Sequence, residues 1–281
     1  MFLALPWQGY IILALFFLSI GSLLNVFIYR LPLMLKQQWA DDYCNMLDNP
    51  PVKTKPFNLF IPRSHCPKCH TPVRIIDNIP LLSYLWLRGK CHACHTRISI
   101  QYPLVEILTC VLSFCVLMHF GIGTKLPYLM IFTWILIVLF FIDLHHQLIP
   151  DSLSLSLLWV GLILNMTDAF TGIDDAVWGA VIGYMSLYLF TQVYYLLTGK
   201  IGMGNGDFKL FAAFGAWFGT KALLPIILIS ASVGAIIGTI YLLVSHKGKN
   251  TPIPFGPFLA ASGFIYLFYG KIVLQAFNSV F

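Results

Sequence analysis

The chain has 281 residues, of which 58% are hydrophobic and only 10% are charged. A soluble domain usually carries about 25% charged residues, so this composition excludes an ordinary soluble protein and indicates a chain solvated mainly by lipid. The formal net charge of +6 comes without the basic and aromatic pattern typical of nucleic-acid binding, and no nucleic-acid partner is predicted.

Apolar segments follow one another along the whole chain. The first, residues 9–29, contains no charge and exceeds the ~20 residues needed to cross a hydrocarbon core. It lacks the basic start and the small-residue cleavage site of a secretory signal, so we expect a retained helix. Seven more candidate spans cover roughly residues 104–120, 127–142, 152–167, 175–197, 208–219, 222–244 and 257–280. Since lipid offers no partner for backbone polar groups, all are predicted to be helices.

The fold class is therefore an all-α polytopic membrane protein with about eight transmembrane helices. Seven is the alternative, because segment 208–219 is too short to cross the membrane alone. Glycines spaced four apart in the later segments are typical of helices whose backbones pack closely. These pairs are Gly179/Gly183, Gly215/Gly219 and Gly234/Gly238.

The basic residues predict the orientation. Ten of the 17 Lys and Arg lie in residues 30–100, and an eight-helix arrangement puts fourteen on one side of the membrane. Only Lys125, Lys221 and Lys271 remain on the other side. Because loops rich in Lys and Arg stay in the cytoplasm, we predict a multi-pass membrane protein whose large loop is cytoplasmic.

This loop is the one sizeable region outside the apolar segments. The predicted organisation is a first transmembrane helix at 1–29, a cytoplasmic insert at 30–103 and a membrane core of about seven helices at 104–281. An insert of this size buries little core of its own, so it needs a stabilising cross-link.

Two Cys-x-x-Cys motifs in the insert provide such a cross-link. Four thiolates match the tetrahedral coordination of a closed structural zinc site. We predict zinc bound by Cys66, Cys69, Cys91 and Cys94.

Three other interpretations compete with zinc. A reducing cytosol disfavours disulfides, and a thioredoxin-like redox pair needs a βαβ context that is missing. Covalent haem is the sharpest rival, because His70 and His95 complete two Cys-x-x-Cys-His patterns. Such haem is attached on the outer side of the membrane, opposite to the predicted face of this loop.

Cys110 and Cys115 lie in an apolar helix and are predicted to be buried hydrophobes.

Two aspartates stand where apolar segments end. Asp143 terminates one long apolar run, and Asp207 opens another after a glycine-rich stretch. An ionisable residue at membrane depth is a candidate functional residue, and two adjacent carboxylates would share a proton as in an aspartyl peptidase. The glycines before Asp207 allow positive φ and leave room for an extended peptide. Helix capping is the alternative; it suits Asp207 and Asp151, and Asp151 is interpreted as an N-cap.

The motifs together resemble the bacterial type IV prepilin peptidases, which are leader peptidases and N-methyltransferases. The similarity covers residues 21–32, the cysteine loop at 64–106, the block 142–151 and the Gly-x-Gly-Asp block 204–209. Gly-x-Gly-Asp is shared with presenilin-like membrane aspartyl peptidases.

The resemblance implies Asp143 and Asp207 as the catalytic pair, zinc on the four cysteines and a location in the bacterial inner membrane. It implies type IV prepilins and type II secretion pseudopilins as substrates, cut on the cytoplasmic side and then methylated with S-adenosylmethionine. His145 and His146 are then expected to face the headgroups. No glycine-rich Rossmann-type loop is present, so the sequence identifies no residues that bind S-adenosylmethionine.

Two other classes of function stay open at this point. A haem or thiol redox protein of the membrane would use the cysteine motifs, and a scaffold or transporter would tolerate the loss of either aspartate. Membrane lipid is an expected partner in every case.

Overall fold

Helices account for all the regular structure in the part of the chain described by the computed structural model, residues 6–47, 57–200, 202–245 and 253–280. Two 3₁₀ turns, Ile76–Asn78 and Thr220–Ala222, and two isolated β-bridges accompany them. The α-helices are α1 (Trp7–Met46), α2 (Leu82–Trp86), α3 (Gln101–Phe120), α4 (Leu126–His146), α5 (Asp151–Asn165), α6 (Ile173–Thr198), α7 (Asn205–Phe218), α8 (Leu223–Ser245) and α9 (Gly256–Val280). The all-α prediction is confirmed, and each of the eight apolar segments is helical.

Six helices are long and apolar enough to cross a membrane, namely α1, α3, α4, α6, α8 and α9. The protein is thus a multi-pass membrane protein. The other two predicted spans are shorter, since α5 has 15 residues and α7 has 14. At a rise of 1.5 Å per residue α7 is only about 21 Å long, which agrees with the expectation that segment 208–219 does not cross alone.

Helix α1 is longer than its apolar run. The predicted span 9–29 is the first part of a 40-residue helix that continues to Met46 and contains Pro32. The continuation carries the charged residues Lys36, Asp41 and Asp42. This part of the helix therefore lies outside the apolar segment that the sequence predicted. Of the following stretch, residues 48–56 lie outside the described residues.

The chain divides into two compact units, residues 1–126 and 127–281. In the first unit α1 packs against α3, with Gly21 directly facing the Cα atom of Glu106. A Cβ added to Gly21 would lie 2.6 Å from that atom, so the close approach requires glycine. Asn25 Nδ2 donates to the carbonyl of Tyr102 at 3.0 Å, which fixes the register of the two helices.

In the second unit α7 occupies the centre, between α5 and α6. Every residue from Asp207 to Trp217 except Lys209 is buried. Gly183 lies against the backbone of Phe211 and Ala212, with Cβ-equivalent distances of 3.0–3.1 Å, and Gly179 and Gly215 face each other. The close backbone packing predicted from the glycine spacing is confirmed for α6 and α7.

The far end of α7 is satisfied by side chains, as a helix end inside a membrane protein requires. Asn165 Nδ2 donates to the carbonyls of Ala216 and Trp217 at 2.8 and 3.0 Å. Trp217 Nε1 donates to the carbonyl of Leu157 at 2.8 Å. These bonds hold α7, and therefore its N-terminal Asp207, in a fixed position.

Candidate active site

Asp143 is a buried carboxylate on the last turn of α4. The helix continues three residues beyond it to His146. The next residue, Gln147, has a φ of 52° and donates its N–H to the Asp143 carbonyl at 2.9 Å. The left-handed residue stops the helix and turns the chain toward α5. The apolar run alone therefore places this aspartate correctly, at the end of a long helix.

Asp207 is also buried, at the third position of α7. The N-cap residue is Gly204, and its backbone N–H donates to the Asp207 carboxylate. This is one half of a capping box, in which an acidic side chain reaches back to the N-cap N–H. The other oxygen, Oδ1, is buried without a hydrogen-bond partner among the described residues. Asp207 is thus not the N-cap residue of the alternative interpretation; one of its oxygens accepts from the N-cap N–H and the other has no partner among the described residues.

The structure brings the two carboxylates to the same place. Gly256 lies against both Asp143 and Ile149, and Ile149 lies against Gly206, the residue before Asp207. Phe132 on α4 packs against Trp217 and Phe214 on α7, with ring centroids 4.6 and 6.1 Å apart. With these contacts near the start of α4 and the end of α7, the two helices are antiparallel. The C-terminal end of α4 therefore meets the N-terminal end of α7.

The glycines of the Gly-x-Gly-Asp motif do not adopt the positive φ that glycine allows. Gly204 has a φ of −77°, and positive φ occurs at neither Gly202 nor Gly206. Gly206 instead allows contact with Ile149, because a Cβ there would lie 2.6 Å from the Cβ of Ile149. Missing side-chain volume, and not backbone freedom, lets α7 approach the turn after α4.

Gly256 is a site residue that sequence reasoning missed. It is the first residue of α9, and its backbone N–H donates to the Asp143 carboxylate. A Cβ at Gly256 would lie 2.6 Å from Asp143 Oδ2 and 2.9 Å from Ile149 Cδ1. The signal in the sequence is Pro254-Phe255-Gly256-Pro257, a turn-forming stretch that directly precedes an apolar helix.

Asp151 has a different role from the predicted N-cap. Pro150 occupies the N-cap position without a side-chain bond, and Asp151 is the first residue of α5. Its Oδ1 forms an ion pair with Lys209 Nζ at 2.6 Å. His145 and His146 are exposed, as expected for headgroup-facing residues.

The four cysteines of the two motifs form a single cluster in the first unit. Their Sγ atoms all lie within 4.8 Å of one another, with Cys66–Cys94 at 3.8 Å and Cys69–Cys91 at 3.9 Å. Zinc–sulfur bonds of about 2.3 Å give a tetrahedral edge of about 3.8 Å, so the donor set fits a tetrahedral metal ion. All four are free thiols, and none is within bonding distance of another.

The two cysteine motifs have the same local structure. In each, the first cysteine N–H donates to the carbonyl of a threonine five residues on, at 3.0 Å for Cys66–Thr71 and 2.8 Å for Cys91–Thr96. Both following histidines adopt positive φ, 57° at His70 and 54° at His95.

The two threonines also contact thiols, and this was not foreseen from the sequence. Thr71 Oγ1 and Thr96 Oγ1 lie 3.3 Å from Cys69 Sγ and Cys94 Sγ. The hydrogen bond with the Thr96 side chain, followed by that with its backbone, lowers the pKa of Cys94 to about 6 against the opposing effect of burial. Hydrogen bonds of this kind orient metal ligands and favour the thiolate.

Two family models and several relatives match the chain. Residues 15–120 match the bacterial peptidase A24 N-terminal domain, and residues 130–239 match the type IV leader peptidase family. A prepilin leader peptidase/N-methyltransferase of Legionella pneumophila is 50% identical over 271 residues, which is 96% of this chain and 94% of the relative. Proteins of the same name from Aeromonas hydrophila (46%, covering 96% of this chain and 94% of the relative) and Pseudomonas aeruginosa (45%, covering 92% and 90%) are similar along almost their whole length.

No solved structure matches the chain. The two matched domains and the extent of the identity identify it all the same: the chain belongs to the type IV leader peptidase family.

Proposed function

We propose that the chain is a membrane aspartyl endopeptidase that removes the leader of type IV prepilins and type II secretion pseudopilins and then methylates the new N-terminus. The observation that carries the peptidase assignment is the buried pair Asp143 and Asp207, held together at the meeting ends of α4 and α7. The names of the relatives support both activities and the prepilin substrate.

The chemistry of such a pair follows from its geometry. Two adjacent carboxylates cannot both ionise, so the pair keeps one proton and titrates as a unit. The ionised member accepts a proton from a water molecule, which attacks the scissile carbonyl, while the protonated member donates to the carbonyl oxygen. Oδ1 of Asp207 is free of hydrogen bonds within the described chain and can serve either step. Water attacks directly, so no covalent acyl-enzyme forms.

Fixed backbone groups support this role. The N–H of Gly256, at the start of α9, and the N–H of Gly204, at the start of α7, each hold one carboxylate. Helix N-termini carry partial positive charge and stabilise an anion there. The pair is thus anchored by main-chain donors that cost no reorganisation during the reaction.

A cleavage assay tests the proposal. Purified full-length enzyme is incubated with a prepilin and S-adenosylmethionine, and mass spectrometry follows the loss of the leader and the gain of a methyl group. We expect cleavage first and methylation of the cleaved product second. Methylation without cleavage, or cleavage that is blocked by serine-directed reagents, would contradict the assignment.

The four-cysteine cluster is proposed to hold structural zinc, with Cys66, Cys69, Cys91 and Cys94 as ligands.

S-adenosylmethionine supplies an electrophilic methyl group, and the prepilin amine must be neutral to accept it. Since a free N-terminal amine has a pKa of about 8, a modest local shift suffices and no strong base is needed. The loop that carries the cysteines is the largest segment between membrane helices, and we assign it the cofactor.

Metal analysis is expected to find one zinc per chain, falling to background in Cys66→Ser or Cys91→Ser. The prediction that Cys115 is buried is wrong, because its side chain is exposed on α3. Cys115→Ser is therefore the matched control and should keep its zinc. Because metal binding and folding of a small insert are coupled, zinc loss should also make residues 57–100 sensitive to protease. A wild-type protein that folds without zinc would refute the metal assignment.

Zinc removal should reduce methylation more than cleavage, because Asp143 and Asp207 lie on helices of the other unit. Asp143→Ala should block methylation of a full-length precursor but spare a substrate that is already cleaved. Both products are measured by mass spectrometry. Equal loss of both activities on zinc removal would argue for one inseparable site.

The orientation is proposed from the basic residues, with residues 31–100 in the cytoplasm and the enzyme in the bacterial inner membrane. Reporter fusions or cysteine labelling should find residues 31–100 inside and residues 168–175, between α5 and α6, outside. A cysteine loop on the outer side would overturn this orientation and revive the haem interpretation.

A further inference from the structure

The stretch between the two cysteine motifs is both apolar and exposed. We call residues 75–87 the inter-motif segment; it contains the 3₁₀ turn Ile76–Asn78 and helix α2, which contact each other. Trp86 is 88% exposed and Ile75 80%, and their exposed neighbours include Ile76, Leu82 and Leu85. Large apolar side chains concentrated on a surface mark a contact with something that is not water.

A hydrogen bond fixes the depth of this segment relative to the membrane. The N–H of Leu81, directly before α2, donates to Glu106 Oε2 at 2.8 Å. Glu106 is buried and is the sixth residue of α3. The 20 residues of α3 span about 30 Å, which is the thickness of a hydrocarbon core. Since Glu106 is five residues from the start of α3, it lies about 7.5 Å from the edge of the core at which this helix begins. The inter-motif segment is therefore held at the membrane boundary and not out in the cytosol.

A second contact on α1 holds the loop at a similar boundary. Arg30 directly follows the apolar residues 9–29 and is buried. Its guanidinium donates to the carbonyls of Asn58, Leu59 and Pro62 at 2.9, 3.2 and 2.6 Å. Phe60, within this clamped turn, is 85% exposed. Both connections of the cysteine loop to its membrane helices thus present apolar side chains where the apolar part of the helix ends.

The charges around the inter-motif segment fit an anionic lipid surface. Arg74, Arg88 and Lys90 are exposed at its two ends, and Asp77 is its one acidic residue. Tryptophan and basic side chains are typical of the membrane interface, where the ring enters the headgroup region and the cations contact phosphates. A helix of an apolar substrate would match the apolar side chains but not the flanking cations.

We propose that the inter-motif segment is an interfacial anchor, inserted at the boundary of headgroups and acyl chains, which ties the four-cysteine loop to the bilayer. Glu106 acts as a positioning residue, because its carboxylate holds the start of α2 at this depth. The proposal does not depend on the peptidase activity.

Lipid photocrosslinking tests this in the full-length protein. p-Benzoylphenylalanine replaces Trp86, and the protein is reconstituted into vesicles of phosphatidylcholine and phosphatidylglycerol. The matched control carries the same probe in place of Asp42, exposed on α1 and about 20 Å along that helix beyond its apolar span. We expect severalfold more lipid adduct at position 86 than at position 42. Equal yields at the two positions would overturn the proposal. So would a probe at position 86 that crosslinks only to an added prepilin or another protein and not to lipid.

A second pair of variants separates anchoring from folding. Glu106→Leu removes the acceptor for the Leu81 N–H, whereas Glu106→Gln keeps a carbonyl oxygen at that place. With the probe at position 86, Glu106→Leu should lower the lipid adduct severalfold and Glu106→Gln should retain most of it, at unchanged metal content. If Glu106→Leu keeps its metal and the full lipid adduct, Glu106 does not position the segment and the depth argument is refuted.

Discussion

Replacing Asp143 or Asp207 with Asn is expected to abolish leader cleavage and leave a folded protein. An amide has nearly the shape of the carboxylate but cannot ionise, so it supplies no base for the attacking water. The loss of one acid–base group should lower the cleavage rate by at least about a hundredfold. Because both aspartates are buried side by side, the folded protein pays a free-energy cost to hold the ionised member of the pair away from water, and a neutral amide removes part of that cost. The melting temperature should therefore be unchanged or raised.

Asp151 provides the matched control for this experiment. It lies close in sequence to Asp143, but its side chain is 60% exposed and its ion pair with Lys209 is at the surface. Exposed ion pairs contribute about 0–1 kcal/mol, so Asp151→Asn should keep substantial activity and stability. Cleavage is measured by mass spectrometry and folding by thermal denaturation in detergent. A near wild-type rate in either Asp143→Asn or Asp207→Asn would eliminate the aspartyl mechanism.

The sequence predicts the helices well because lipid leaves the chain few choices. A charge-free run must satisfy its own backbone, so each apolar segment is helical in the structure. The prediction fails where that constraint ends: α1 continues to Met46 through charged residues, and hydropathy carries no information about a helix outside the apolar region. Hydropathy also does not give the length of α5 and α7, which are helical as predicted but have only 15 and 14 residues.

The site divides along similar lines. Residue type and local spacing identify Asp143, Asp207 and the four cysteines in the sequence. The structure brings the two aspartates together and the four cysteines together. Gly256, Thr96 and Glu106 act through contacts that sequence spacing does not reveal. The hydrogen bond from Glu106 to Leu81, for example, joins residues that are adjacent only after α3 and the loop have folded. Glycine is the hardest case, because the sequence allows both a positive φ and a close contact at Gly206, and only the structure shows that the contact with Ile149 is the one used.

Gly256→Ala is expected to lower the cleavage rate strongly although it leaves both catalytic carboxyl groups in the chain. The added methyl group would lie 2.6 Å from Asp143 Oδ2 and 2.9 Å from both Asp143 Cγ and Ile149 Cδ1. Contacts under 3.0 Å do not persist, so an atom must shift. Ile149 is itself held against Gly206, and the Asp143 side chain is the group with freedom to rotate. Rotation moves its carboxylate away from the Gly256 N–H and from Asp207.

Displacing a reacting group by about 1 Å costs about a hundredfold in rate, and we expect cleavage to fall by that factor. Overpacking of this kind also destabilises by about 1–3 kcal/mol, so the melting temperature should drop modestly while the protein still folds. Gly123→Ala is the control, because no atom lies within 4 Å of its added methyl group and its φ is not positive. The decisive comparison is kcat against KM for a prepilin substrate. A loss confined to KM would mean that Gly256 serves substrate binding, whereas a fall in kcat at unchanged KM is the signature of a misplaced Asp143.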